Sequence, residues 1–216
     1  KATVILLAGG HGGLQMFQNG SFKWGEGNFL VRSRQLFADK GLMAVVVDAP
    51  SDRLRAPFLN GFRQTEEHAA DLKATIAWAR ATAKVPVWLV GTSRGTQSAA
   101  YAATVLQGAD APDGVVLTAT ILADDKQRPV PAMPLEQIKV PVLVVHHQQD
   151  GCSHCAYSEI PNLMAKLTHT PRSHLITATG GKNQGDACAA FAHHGFNGLE
   201  ADVVGQMADW ILAPAR

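Results

Sequence analysis

The sequence predicts a doubly wound α/β fold, a mostly parallel sheet with helices on both faces, built as one domain over residues 1–216 with no lid domain. Three observations predict it. Six short runs read as strands, and the first two, 3–8 and 42–47, are continuously apolar instead of alternating, which is the pattern of strands covered on both sides. Stretches of helical character lie between them, so parallel neighbours can be joined by the right-handed crossovers such a sheet requires. The pentapeptide Gly91-Thr92-Ser93-Arg94-Gly95 stands between an apolar run and an Ala-rich stretch, giving strand, sharp turn and helix in immediate succession.

Residues 3–8 (TVILLA) are the first run and 42–47 (LMAVVV) the second, which ends at Asp48. The others are 85–90 (VPVWLV), 114–119 (GVVLTA), 140–145 (VPVLVV) and 173–178 (SHLITA). Helices are expected over 27–40, 65–83, 94–107, 157–168 and 199–213. In the second of these, Ala69, Leu72, Ile76 and Ala79 recur at helical spacing, and Thr65 with Glu67 places a start signal and an acid near the positive end of the helix dipole. The segment 122–137 carries Pro129, Pro131 and Pro134 without clear periodicity, and is expected to be a surface excursion.

A chain of 216 residues can bury one core covered on both sides of a sheet. Apolar residues make up 46% and charged residues 17%, which argues against disorder, and a net charge of +1 offers no electrostatic basis for binding nucleic acid. No apolar run approaches the roughly 20 residues that a membrane-spanning helix needs. The chain opens on Lys1 and enters a strand almost at once. Such a start fits an exported protein after loss of its signal segment, and equally a shortened chain. A periplasmic or secreted location is therefore an expectation with the cytoplasm as its alternative, and the oligomeric state is not legible.

In a doubly wound sheet, reactive groups collect where the carboxyl ends of strands meet their loops. Ser93 follows the third run, Asp150 follows the fifth within HHQQDG, and His193 and His194 follow the sixth beyond a glycine-containing loop. The chain order is serine, acid, histidine. A serine hydroxyl is a weak nucleophile at neutral pH and needs an imidazole to take its proton, while a carboxylate fixes the tautomer of that imidazole. Donors for an oxyanion would be the backbone N–H of Arg94 and one from the loop AGGHGG at 8–13. A bare G-x-S-x-G string also fits an ordinary strand-to-helix turn, and the flanking elements are what distinguish this one.

These motifs resemble the α/β-hydrolase superfamily, best its small bacterial members without a cap, over essentially the whole chain. The glycine turn after the first run, GTSRG, HHQQDG and the closing HHGFNGLEADVVGQMADWI fall in that family's order. The resemblance implies the hydrolase sheet, hydrolysis of a small ester or related acyl bond through an acyl-enzyme, a small-molecule ester or acyl substrate, and no cofactor. It implies Ser93, Asp150 and His194 as the triad, with His194 favoured over His193 because it directly precedes the glycine and aromatic that lead into the last helix. It also implies Gly10, with His11 next, as the loop donor beside Arg94. One departure is visible, since that fold ordinarily has two further strands ahead of the first run and only two residues precede Thr3 here.

Other readings compete. A noncatalytic binding module could use the same fold, and a peptidase or thioesterase the same triad. Asp48 is a rival acid that could instead tether its own loop. The Arg94 side chain could hold an acidic substrate group or simply pair with a nearby carboxylate, and Arg32, Arg34 and Arg63 are structural candidates of the same kind. Histidines and cysteines near Asp150 and His194 could suggest zinc, but Cys152 and Cys155 form one ligand pair with no second, so no metal is expected. If the triad assembles, the loops bearing Cys152 and Cys188 must meet, and a bridge between them would tie acid to base. Cys155 is the alternative partner, and reduced buried thiols are the remaining option. The segment 14–29, with Phe17, Phe22, Trp24 and Phe29, either walls the serine, with His11, Phe17 and Trp24 as pocket residues, or contributes aromatics to the core.

Overall fold

A computed structural model describes residues 1–213. Six parallel strands form one sheet in the order β2-β1-β3-β4-β5-β6: β1 Thr3–Leu7, β2 Met43–Val47, β3 Val87–Thr92, β4 Gly114–Thr118, β5 Val142–His147 and β6 Ser173–Ala178. The expected β3 and β5 began two residues earlier, at Val85 and Val140. Pro86 and Pro141 explain the difference, because a proline has no N–H to give to the ladder and pairing starts after it.

Each strand sends alternate residues to opposite faces. Ile5, Leu7, Val87, Leu89, Val115, Leu117, Val142 and Val144 meet α3 (Glu66–Ala83), α4 (Gly95–Val105) and α5 (Ile160–Ala165) on one side. Val4, Leu6, Trp88, Val90, Val116, Leu143 and Val145 meet α1 (Phe29–Arg32), α2 (Arg34–Asp39) and α6 (Glu200–Leu212) on the other. The continuous apolarity of the runs thus reflects two cores, one on each face of the sheet. The Thr65 hydroxyl caps α3 by accepting from the His68 N–H at 3.2 Å, with Glu66 and Glu67 in the first turn. None of the helices among the described residues is long and apolar enough to cross a membrane.

The helix expected over 27–40 is instead two pieces broken at Ser33, each burying its own aromatic, Phe29 and Phe37, in the same core. The helix expected over 157–168 shrinks to α5 behind a 3-10 turn at Tyr157–Glu159. The segment 122–137 is a surface excursion only over residues 123–129. Val130, Met133 and Leu135 are buried with Ile138 against the α4 side of the sheet, held by two 3-10 turns, Val130–Ala132 and Leu135–Gln137. Its prolines interrupt helical periodicity while its apolar residues still cover the core.

The strand order reverses direction between β1 and β3, and Leu7 lies in register with Gly91 there. The loops after both strands therefore open at the topological switch point, where doubly wound sheets place ligands.

Candidate active site

Ser93 stands between β3 and α4 with φ of +51°, in the left-handed region that costs a residue with a side chain about 1 kcal/mol or more. The surroundings hold it there. Its N–H donates to the Thr118 carbonyl at 3.0 Å, and its carbonyl accepts from the Thr96 hydroxyl at 2.6 Å. The flanking glycines are required by close approach: a Cβ on Gly91 would strike the Gly95 carbonyl, and a Cβ on Gly95 would strike the Leu7 carbonyl. The turn is thus tight enough to press α4 against the end of β1, and it presents the Ser93 side chain to a cavity at the carboxyl edge of the sheet.

That cavity has a volume of about 300 Å³. Ser93 and His194 both line it. Behind His194, Nδ1 donates to Asp150 Oδ2 at 2.8 Å, in a contact where the carboxylate side chain is fully buried. A carboxylate can only accept, so Nδ1 carries a proton, and in the neutral imidazole the Nε2 lone pair is then left free. The other carboxylate oxygen, Oδ1, accepts from the Cys152 N–H at 2.9 Å. His146, also buried, donates from Nε2 to the Cys155 carbonyl at 2.7 Å, and the same atom lies 3.6 Å from Asp150 Oδ2. Burial pushes the His146 imidazole to the neutral side.

The turn carrying His194, His193–Gly195, is anchored from the α1 side of the sheet. Arg32 Nη2 donates to the Gly195 carbonyl at 2.6 Å and to Glu200 Oε1 at 2.8 Å, so one guanidinium locks this turn to α6. A Cβ on Gly195 would collide with the Ala190 carbonyl, so the glycine lets the loop before His194 fold onto the turn. His193 is half-turned away. Its ring stacks on His147 at 4.2 Å, and its Nδ1 contacts the Gln149 carbonyl at 3.2 Å.

A disulfide joins Cys152 to Cys188, across 36 residues of sequence. It ties the loop after β5, which carries Asp150, to the loop that leads to His194, and Cys188 also lines the cavity. Cys155 is a free and buried thiol, whose pKa is pushed up by burial and then by the Asp150 charge. Cys152, Cys155 and His194 lie close enough together to suggest a metal, within 4.8 Å of one another. The donor set does not fit one, because Cys152 is bridged and His194 is committed to Asp150.

On the opposite wall stands the loop after β1. Gly10, with φ of +57°, lines the cavity, and Gly9 packs so closely on the elbow that a Cβ there would lie 2.9 Å from Ser93 Cβ. Among the described residues, the backbone N–H groups of Gly10 and Arg94 donate to no protein acceptor. The Arg94 side chain turns away and pairs with the buried Asp124 at 2.7 Å, the simpler of the two uses open to it. Asp48 is not the partner of His194. Its carboxylate accepts from the N–H groups of Leu14, Met16 and Ala49, at 2.7, 2.8 and 2.7 Å, and so shapes the loop after β1 from the end of β2.

The pocket residues require two corrections. Trp24 does line the cavity, over Gly10, and Phe29 joins it. Phe17 does not, because a Met16 to Phe22 bridge folds the segment back on itself and leaves Phe17 55% exposed at its tip. His11 does not either. Its ring is held between Trp24 and Phe58, at 3.9 and 4.3 Å between centroids, and it braces the Trp24 wall from behind. The far wall is Cys188, Ala189 and Ala190, small residues with no signal in their sequence that would have marked them.

None of the protein-family models matches the sequence, and none of the curated proteins matches it either. Solved structures do. The chain superposes on a cold-adapted esterase from an Arctic intertidal metagenomic library with a TM-score of 0.60 at 17% identity, covering 97% of this chain and 82% of that one. It superposes on a protein of Xanthomonas campestris pv. campestris assigned to the α/β-hydrolase superfamily with a TM-score of 0.60 at 16% identity, covering 98% of each chain. An acetyl ester-xyloside bifunctional hydrolase from Caldicellulosiruptor lactoaceticus gives 0.59 at 13% identity, over 97% and 82%. At these identities the likeness is one of fold. The chain has the α/β-hydrolase fold, in a form with six parallel strands among the described residues and β2 at the edge where further strands were expected.

Proposed function

We propose that the protein is a serine hydrolase that cleaves a small ester or related acyl bond through an acyl-enzyme. The observation that carries this reading is that a serine held at an elbow and a histidine paired with a buried carboxylate at 2.8 Å open onto one cavity. Three of the solved structures of this fold described above are an esterase, an acetyl ester-xyloside hydrolase and a protein assigned to the same superfamily, which supports the reaction class.

In the proposed reaction, Ser93 Oγ attacks the carbonyl carbon of the substrate and passes its proton to His194 Nε2. Asp150 holds the imidazole by Nδ1 and stabilises the imidazolium. The tetrahedral oxyanion accepts from the N–H groups of Arg94 and Gly10. On collapse, the bond to the leaving alcohol breaks and His194 returns the proton to it. Water then repeats the sequence on the acyl-enzyme, releasing the acid and restoring Ser93. No Asp, Glu, Lys or Arg lines the cavity, and with its volume of about 300 Å³ this favours a small, uncharged acyl group. The Cys152–Cys188 bridge favours a periplasmic or secreted location, since disulfides persist in oxidising compartments.

Turnover of p-nitrophenyl esters of graded chain length, by wild type and Ser93→Ala, tests the reading. Wild type is expected to prefer the shortest acyl chains and the variant to lose turnover. Equal turnover by the two proteins would remove Ser93 from the mechanism. A folded wild type inert toward esters, thioesters and amides alike would favour a binding module on the same fold.

A further inference from the structure

Arg63 is 1% exposed, and its guanidinium has no carboxylate within ion-pair distance among the described residues. Its neighbours are polar but neutral or cationic. Nη1 donates to the Ser98 hydroxyl at 2.9 Å, and the same hydroxyl meets His68 Nε2 at 2.9 Å. Burial, and then the charge of Arg63 itself, push the His68 imidazole down to about 3, so at neutral pH it carries no charge. The charge that acts on Arg63 is that of Arg94, which repels it and is answered by its own partner, Asp124. Burial pushes the Arg63 guanidinium down to about 9, still cationic at neutral pH. Proteins rarely bury a full charge without a counter-charge, so this cation calls for an explanation.

The explanation lies in what the guanidinium touches. Nη2 donates to the carbonyls of Ala8 and Gly10 at 3.0 and 3.1 Å, and the loop wraps so tightly that a Cβ on Gly12 would stand 2.6 Å from it. On the other side of the same loop, a Cβ on Gly9 would stand 3.5 Å from Ser93 Oγ. One thickness of backbone therefore separates the cation from the proposed nucleophile. Every peptide of this loop is trans, so the Ala8 and Gly10 carbonyls held toward Arg63 turn the N–H groups of Gly9 and His11 to the opposite side, and the peptide that carries the Gly10 N–H is fixed between these two.

We propose that Arg63 is a positioning residue for the oxyanion site: by holding the Ala8 and Gly10 carbonyls it fixes the N–H groups of the glycine loop beside Ser93, and its unpaired charge is balanced by the oxyanion that forms during reaction. This rests on the assignment of Ser93 as nucleophile. Because the balancing charge exists only in the tetrahedral state, Arg63 acts on the transition state more than on substrate binding. A lysine can replace it only in part, since its ammonium keeps the charge but lacks the planar fork that spans Ser98 and two carbonyls.

The test compares wild type, Arg63→Met, Arg63→Lys and Ser93→Ala with p-nitrophenyl acetate, and with phenylboronic acid as a probe that becomes a tetrahedral anion on an active serine. In Arg63→Met, kcat is expected to fall roughly 10- to 100-fold with KM nearly unchanged, as for loss of part of an oxyanion site. The affinity for phenylboronic acid should fall by a similar factor, and Arg63→Lys should recover part of both. A folded Arg63→Met with wild-type kcat and boronate affinity overturns the proposal, as does a rise in KM at constant kcat. If Arg63→Met does not fold, Arg63→Lys decides, and wild-type kcat in that variant overturns it. Failure of the Ser93 assignment looks different: wild type and Ser93→Ala then bind phenylboronic acid equally, whatever stands at position 63.

Discussion

Removing the Cys152–Cys188 bridge separates its role in stability from its role in catalysis. The cleanest perturbation is the double variant Cys152→Ser/Cys188→Ser, because Cys188→Ser alone would leave the Cys152 thiol within 4.8 Å of Cys155. The bridge closes a loop of 36 residues, and the loop-closure entropy removed from the unfolded chain is then about 13 cal/mol/K, or about 3.8 kcal/mol at 25 °C. With an unfolding entropy of about 2.1 cal/mol/K per residue, a chain of 216 residues loses about 8 °C in melting temperature. Thermal circular dichroism of the oxidised wild type against the double variant measures it. Catalysis should suffer less than stability, because Asp150 keeps its bonds to the Cys152 N–H and to His194 without the sulfurs. Equal melting temperatures would refute the loop-closure argument, and loss of activity in a fully folded double variant would show that the bridge itself holds the site.

Three further perturbations follow from the geometry. Asp150→Asn keeps the shape of the buried contact but favours the wrong imidazole tautomer, and kcat on p-nitrophenyl acetate should fall by about 10⁴-fold with little change in melting temperature; a loss under tenfold would contradict its role. Gly95→Ala drives a methyl into the Leu7 backbone carbonyl, so the variant should unfold at lower denaturant than wild type, and an unchanged urea midpoint would show that the elbow is looser than described. His68 is held neutral down to about 3, whereas in the unfolded chain it takes its proton near 6.5. Its contribution is therefore complete above pH 6.5 and is lost as pH falls toward 3, reaching roughly 2.7 kcal/mol at pH 4.5, and His68→Gln should flatten the stability curve in that window as measured by urea titration at each pH. An unchanged slope would contradict this.

The sheet was legible because its signal is carried by many residues at once. Runs such as TVILL and GVVLT admit few alternatives to a strand buried on both faces, and the helical stretches between the runs point to parallel neighbours. The candidate site was legible where chemistry demands a rare local arrangement: glycines flanking Ser93, and Asp150 and His194 each directly after a strand or its loop. What stayed hidden depends on tertiary contact. Phe17 and Trp24 look alike in the sequence, and only the fold-back from Met16 to Phe22 sends one to solvent and leaves the other over Gly10. The burial of Val130 and Leu135 was masked by the prolines around them, which remove helical periodicity without removing apolar surface. Arg63 was equally hidden, since nothing in GFRQT distinguishes a surface arginine from one enclosed beneath a glycine loop. Arg32 belongs with it, as its bond to the Gly195 carbonyl spans 163 residues of sequence.

The most direct test of the account is reaction of the wild-type protein with a fluorophosphonate, followed by mass spectrometry of the digested adduct. A single phosphonyl group on Ser93, absent from His194→Ala and from Ser93→Ala, is the expected result. Intact, folded protein that takes up no label, or takes it up at another residue, would contradict it.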